Sequence, residues 1–309
     1  MHQVLFRLPV LDVPVYGYGL MLVIGFLAAT QVAKYLARRS GLNGELFVNA
    51  ALLALVSGVI GARLSHILEN LEQFTDPGRS LWGNLRAMID LPSGGLTYYG
   101  GFLLASPAVL WYARRKKLPP RLTMDIVAPA LMVGLAFGRI GCFLNGCCYG
   151  QESHLPWAVR FPYYSPAYVE QAQHGRLTVP PQLRPALDPQ AGLKNPNRAN
   201  LDTATRQLMA TQCSNPVHPA QLYSALTAFL LAALLLAYFT LPHAAGRVFA
   251  LMLMLEGATR VLLEMLRVEP PVLGPLSISM LIGMGLAAAG VALWLVFGRL
   301  GVERPRVMA

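Results

Sequence analysis

Arg63, Arg139, Arg260 and Glu264 stand inside, or near the ends of, long apolar stretches of a 309-residue chain. A charged side chain at that depth costs about 2.5–3.5 kcal/mol or more, so it normally faces a cavity or a partner. Three arginines outweigh one carboxylate, and the surplus positive charge asks for an anion. A phosphate suits it, because the planar guanidinium fork matches phosphate oxygens two at a time. Each residue also has a structural reading. Arg260 and Glu264 are four apart and can pair on one helix face. Arg63 can extend its head to a membrane interface. Three such arginines beside glycine-rich turns favour the anion site.

Two glycine-rich segments flank these charges. Ser93-Gly94-Gly95-Leu96-Thr97-Tyr98-Tyr99-Gly100-Gly101 opens one apolar stretch. Gly138-Arg139-Ile140-Gly141-Cys142-Phe143-Leu144-Asn145-Gly146-Cys147-Cys148-Tyr149-Gly150 closes another. Glycines let helices approach closely, or let the backbone break around a ligand. Tyr98 and Tyr99 also suit an interfacial anchor. The second segment lacks the lysine of a nucleotide-binding phosphate loop.

The elements that position these residues are set by composition. The chain is 55% hydrophobic and only 13% charged, against roughly 25% charged residues in a soluble domain. A membrane helix needs about 20 mostly apolar residues. Seven stretches qualify, over residues 17–36, 46–68, 96–112, 123–143, 219–239, 247–266 and 276–297. The expected architecture is therefore an all-α membrane protein of about seven transmembrane helices. It forms a single polytopic domain over residues 1–309, with an extracytoplasmic head inserted at residues 144–217. A short interfacial helix is predicted over residues 81–89, and a helical stretch within the loop-rich head over 195–212. The first apolar stretch reads as a retained anchor, with no cleavage site after it.

The net charge of +10 is a matter of topology. Lys34, Arg38 and Arg39, then Arg114, Arg115, Lys116, Lys117 and Arg121, then Arg247, and finally Arg299, Arg304 and Arg306 fall in alternate loops. The positive-inside rule puts those loops in the cytoplasm, so the amino terminus faces outward and the carboxyl terminus inward. No nucleic-acid-binding signature is present, and no nucleic acid partner is expected.

With these motifs in place the sequence resembles the prolipoprotein diacylglyceryl transferase family, over most of its length. That family carries a Gly-Arg-x-Gly-Asn-Phe-x-Asn-Gly signature at the outer end of a span. Gly138, Arg139, Gly141, Phe143, Asn145 and Gly146 stand in register with it. Tyr18-Gly19-Leu20-Met21 resembles the family's first-span segment and Gly61-Ala62-Arg63-Leu64 its second-span motif. His218-Pro219-Ala220-Gln221-Leu222-Tyr223 resembles the start of its fifth span, and Arg260, Glu264 and Arg267 match its Arg-x-x-x-Glu-x-x-Arg element.

The resemblance implies transfer of a diacylglyceryl group from phosphatidylglycerol to the lipobox cysteine of a preprolipoprotein. A thioether forms and glycerol phosphate leaves. The implied partners are phosphatidylglycerol, the signal-peptide region of the preprolipoprotein and membrane lipid, at the bacterial inner membrane. Arg139 and Arg260 are expected to hold the phosphate, with Glu264 orienting Arg260 or meeting glycerol hydroxyls. Asn145 is expected on the headgroup, and Tyr18 and Tyr99 on the cavity wall. Arg63, Gly146, His218 and Arg267 complete the expected substrate-binding set. No cofactor is expected.

The chain departs from the family at several positions. Tyr99 stands where many members have histidine, Cys142 where the signature has asparagine, Cys147 where glutamate is common, and Ser224 where glutamate often follows Leu-Tyr. The lost histidine keeps a second reading open, a phospholipid-binding homologue without transfer or with another acceptor. A transporter is disfavoured, because no internal repeat is visible. Of four cysteines, Cys147 or Cys148 is expected to bridge to Cys213. His154 and His218 lack a zinc-ligand spacing, and no metal is expected.

Overall fold

The computed structural model describes residues 4–7, 14–75, 78, 80–90, 97–163, 165–183, 202–267 and 272–300. It is mostly helical and divides into two compact units, one of residues 1–29 and 127–306, the other of residues 30–126 with 307–309. Five helices are long and apolar enough to cross a membrane: α1 (Gly17–Arg39), α2 (Gly44–Glu69), α6 (Pro120–Asn145), α9 (Ala220–Thr240) and α11 (Ile278–Arg299). Two further 18-residue helices, α5 (Tyr98–Arg115) and α10 (Arg247–Glu264), are less apolar. Tyrosines, glycines and closing arginines dilute α5, while Arg247, Glu256, Arg260 and Glu264 interrupt α10.

In the unit of residues 30–126, the chain leaves α1 through Gly41 at φ 74°. Asn43 then caps α2, its side chain accepting from the Glu45 amide at 2.9 Å. Helices α2 and α5 meet backbone to backbone. A Cβ on Gly61 would collide with the Gly100 carbonyl and sit 2.7 Å from Leu104 Cβ, and one on Gly101 would lie 3.0 Å from the Gly58 carbonyl. In lipid there is no hydrophobic drive between helices, so this close fit supplies the dispersion contacts that hold the pair. Gly61→Leu is expected to destabilise this unit by about 1–3 kcal/mol through overpacking. A lowered unfolding midpoint in detergent would be the sign, and an unchanged one would show that α2 and α5 are not held by this contact.

The predicted short helix forms as α4 (Leu81–Ile89), preceded by the single turn α3 (Leu71–Phe74). Ser80 caps α4, accepting from the Gly83 amide at 3.1 Å. The helix buries no residue, and Trp82 is 82% exposed, as suits a helix lying at a lipid interface.

In the other unit, α10 and α11 also touch through glycine. A Cβ on Gly257 would lie 2.5 Å from the Gly283 carbonyl and 2.6 Å from the Ala287 amide, and one on Gly290 would lie 2.6 Å from the Met254 amide. Gly246, at φ 97°, starts α10. The guanidinium of Arg247 lies 4.7 Å from the Trp294 ring centre, a cation–π contact.

The all-α expectation needs one addition, an antiparallel pair of β1 (Val4–Arg7) and β2 (Pro14–Tyr16) leading into α1. These strands are too short for alternation to show, although Val and aromatic residues favour them.

Between α6 and α9 the chain folds around two small apolar clusters. Tyr163, Tyr168, Val179, Leu183 and Met209 form one, and Phe161, Ala167 and Val217 the other. Helix α7 (Pro166–Gln173) was not foreseen, although Ser165-Pro166 is a plain start signal, with Ser165 capping and Pro166 in the first turn. The helix expected over residues 195–212 forms as α8 (Thr203–Thr211), and residues 195–201 lie outside the described residues. Leu144 and Asn145 belong to α6, so this segment begins at Gly146.

Candidate active site

One face of α10 carries Glu256, Arg260 and Leu263, at intervals of four and three residues. Side chains at that spacing share a face. They line a cavity together with Thr259, Glu264 and Arg267, Arg139 and Cys148 from the end of α6, and Ser224 and Thr227 from α9. Three arginines and two carboxylates thus converge on one hollow, among small polar side chains.

The arginines differ in their commitments. Glu264 is buried, its side chain 3% exposed, and Arg267 Nη1 donates to its Oε2 at 3.2 Å. Ser277 Oγ donates to the other carboxylate oxygen at 3.2 Å. The carboxylate expected to orient Arg260 or meet glycerol hydroxyls thus has Arg267 and Ser277 as hydrogen-bond partners. Helix α10 ends at Glu264, and the following turn brings Arg267 back onto the carboxylate. That turn is clamped by the segment after α6, with the Gln151 amide donating to the Leu266 carbonyl at 2.8 Å.

Arg139 and Arg260 both feel the charge of Glu256. The Nε of each is buried without a hydrogen-bond partner. A buried guanidinium donor left unmatched is costly, so the cavity holds two cationic forks prepared for an acceptor from outside the chain. Tyr18, in the first turn of α1, borders this end of α6. Its ring lies 3.1 Å from where a Gly141 Cβ would be, and it interacts electrostatically with Arg139 and Cys148.

Other expected site residues have structural work. Arg63 is 6% exposed. Its Nε donates to the Met88 carbonyl at 2.8 Å and its Nη2 to the Ala87 carbonyl at 2.7 Å, with the Phe74 ring centre 5.3 Å away. The last carbonyls of α4 lack helical partners, and the guanidinium satisfies them. Arg63 thus holds the interfacial helix. Gly146, at φ 75°, is a turn residue against Ser165 and Phe161. Asn145 bonds the Cys147 thiol. His218 exchanges backbone bonds with Gly150 and Gln151 at 2.9 and 3.0 Å, and its ring nitrogen lies 3.3 Å from the Tyr223 hydroxyl. Tyr99, in the first turn of α5, is 70% exposed and belongs with Arg63 to the other unit.

All four cysteines are free, so the bridge expected from Cys147 or Cys148 to Cys213 is not formed. Cys147 and Cys148 instead gather with Cys142, while Cys213 pairs through its backbone with Pro162. Hydrogen bonds from the Cys142 and Cys147 thiols, then the charges of Arg267 and Arg139, hold the Cys148 thiol well below the usual thiol range against its burial.

Sequence reasoning noted Ser224 as a departure without giving it a place in the site, and gave Glu256 no role. It gave Thr227 and Thr259 none. The four- and three-residue steps from Glu256 to Arg260 to Leu263 were the available signal. Gln221 was quoted only as part of the motif that opens α9, without a role. It is 1% exposed, and its Nε2 donates to the Cys147 carbonyl at 2.7 Å, fixing the turn after α6 to the start of α9.

Comparison with known proteins bears on this arrangement. A sequence model described as prolipoprotein diacylglyceryl transferase matches residues 3–296. A phosphatidylglycerol–prolipoprotein diacylglyceryl transferase of Rhodopirellula baltica is 38% identical over 167 residues, spanning 53% of this chain but only 33% of that protein. Proteins of the same name match at greater length. One from Clostridium tetani is 28% identical over 87% of each chain. One from Corynebacterium glutamicum is 28% identical over 95% of this chain and 82% of its own. With the family match running from Gln3 to Val296 and including every arginine of the cavity, this chain belongs to the prolipoprotein diacylglyceryl transferase family.

Proposed function

We propose that this chain transfers the diacylglyceryl group of phosphatidylglycerol to the lipobox cysteine of preprolipoproteins, as a multi-pass protein of the bacterial inner membrane. The observation that carries the reading is the pair of buried, unmatched Nε donors on Arg139 and Arg260. They offer a phosphodiester what it needs, fixed positive charge with donors already desolvated.

The reaction forms one carbon–sulfur bond and breaks one carbon–oxygen bond. The acceptor sulfur, as thiolate, attacks the glyceryl carbon bonded to the phosphate oxygen. The electron pair of the broken bond leaves on glycerol phosphate, and the thiol proton passes to solution. A phosphodiester has one negative charge, whereas the departing monoester approaches two, its second pKa being about 6. Arg139 and Arg260 therefore bind the product-like charge more tightly than the ground state, which is the condition for catalysis. Arg267, held by Glu264, supports the same charge from the cavity wall. Thr259 and Ser224 supply hydroxyls for the glycerol headgroup, and Tyr18 lines the approach.

In this reading α5 and α10 also cross the membrane, making seven spans. The amino terminus is outside, the carboxyl terminus is cytoplasmic, and the 146–219 segment is an extracytoplasmic head. The amphipathic α10 is stable there because its charges face the cavity. Preprolipoprotein signal regions and membrane lipid are its macromolecular and bulk partners.

Reconstitution with phosphatidylglycerol and a lipobox peptide tests the proposal. A peptide heavier by one diacylglyceryl group, with glycerol phosphate released in equal amount, is expected. Tyr99, in place of the histidine common in the family, favours one second reading, a phospholipid-binding homologue with another acceptor or none. Protein that binds phosphatidylglycerol but gives no adduct, and gains transfer on Tyr99→His, would establish that reading instead.

A further inference from the structure

Helix α6 ends in a turn whose bonds have a recognisable order. The Gly146 amide donates to the Phe143 carbonyl at 3.2 Å, and the Cys147 amide to the Cys142 carbonyl at 3.1 Å, with Gly146 left-handed at φ 75°. This is a Schellman ending, in which the residue two past the cap folds back over the last helical turn. An apolar pair commonly fills those two places. Here both are cysteine, Cys142 and Cys147. The next residue, Cys148, is left-handed as well, at φ 59°, a conformation uncommon outside glycine. It turns a third thiol toward the other two. The three sulfurs all lie within 4.8 Å of one another, and none is in a disulfide.

The geometry points to a binding site for a soft, thiophilic metal ion, with Cys142, Cys147 and Cys148 as its three thiolate ligands. Zinc–thiolate bonds are about 2.3 Å long, so sulfurs sharing one ion sit about 4 Å apart. The trio needs only a small contraction to reach that spacing. Thiolates select ions such as Cu(I) and Zn(II) over harder cations. Three thiolates around such an ion leave net negative charge, and Arg139 and Arg267 act electrostatically on Cys148 from the cavity beside it. The backbone is also braced. Gln221 holds the Cys147 carbonyl, and the Asn145 side chain bonds the Cys147 thiol, the kind of outer contact that orients ligands.

Cys148 also borders the transfer cavity, but the test uses no lipid substrate, so either reading can fail alone. Full-length protein, reduced and with all four thiols counted as free, is titrated with Cd(II). A thiolate-to-cadmium absorption band saturating at one ion per chain is expected. It should be lost in Cys142→Ser, Cys147→Ser and Cys148→Ser, and kept in Cys213→Ser. Cadmium absorption-edge spectroscopy on the unmutated protein should find a shell of three sulfurs, which guards against variants that merely misfold. No band from fully reduced protein, a band indifferent to the trio, or a shell with fewer than three sulfurs would overturn the site.

Discussion

Alanine at Arg139 or Arg260 is expected to slow diacylglyceryl transfer about 10²–10³-fold, the usual loss when one preorganised donor is taken from a developing anion. The two arginines reach the cavity from different helices, α6 and α10, and share Glu256 as a charged neighbour. Removing either leaves the carboxylate closer to dominance, so the remaining guanidinium cannot compensate. Lysine at either position keeps the charge but loses the planar fork, and should recover only part of the rate. Arg38→Ala is the control, because Arg38 is exposed and its recorded partner is Glu45 at 3.4 Å. The assay is initial rate of peptide modification against phosphatidylglycerol content. A rate within a factor of about 3 of the unmodified protein in either alanine variant, far short of that loss, would remove the arginine pair from the chemistry.

The long helices were legible because each follows from a local signal. Apolar length marks α1, α2, α6, α9 and α11, and the helix expected over residues 81–89 forms over those residues. The arginines of the site were legible because charge in an apolar stretch demands an explanation. Their partners were not. Arg63 reaches carbonyls of Ala87 and Met88, 24 and 25 residues away, and no local pattern announces that a helix end will return there. Glu264 was expected to orient Arg260 or meet glycerol hydroxyls, and its partner Arg267 comes from the turn beyond the end of the helix, where helical spacing gives no signal. Spacing arguments hold only while the helix lasts. The cysteines failed for a similar reason. Pairing was sought across the head with Cys213, whereas two left-handed residues near the end of α6, Gly146 and Cys148, fold Cys147 and Cys148 back toward Cys142.

Helix α10 shows how one segment meets two demands. Gly257 lies against Gly283 and Ala287 of α11 at backbone distance, which gives a charged helix a tightly fitted neighbour. Glu256 and Arg260 line the cavity. The charges that weaken α10 as a lipid-facing span are thus the reason it serves a site, and the glycines are what permit it to be held there. Sequence hydropathy sees only the first half of that arrangement.

Glu264→Ala is expected to have the largest effect on stability, about 3–5 kcal/mol, because it takes the carboxylate away from the largely buried guanidinium of Arg267. The carboxylate side chain is 3% exposed and the guanidinium 15%, so water can rescue neither. Ser277 loses its acceptor as well. The effect should reach the site, since Arg267 forms part of its wall and its segment is pinned to Gly150 and Gln151. Glu264→Gln keeps the shape and an acceptor for Ser277 while removing the charge, and should fall between. Unfolding midpoints in detergent order the three proteins. Transfer kinetics then separate the roles, because a positioning residue should raise KM for phosphatidylglycerol while kcat falls less than in Arg260→Ala. If Glu264→Ala is as stable as the unmodified protein, the buried pair contributes nothing net. If it is stable and its kcat falls as far as that of Arg260→Ala, Glu264 touches the reacting atoms itself and is no longer a positioning residue.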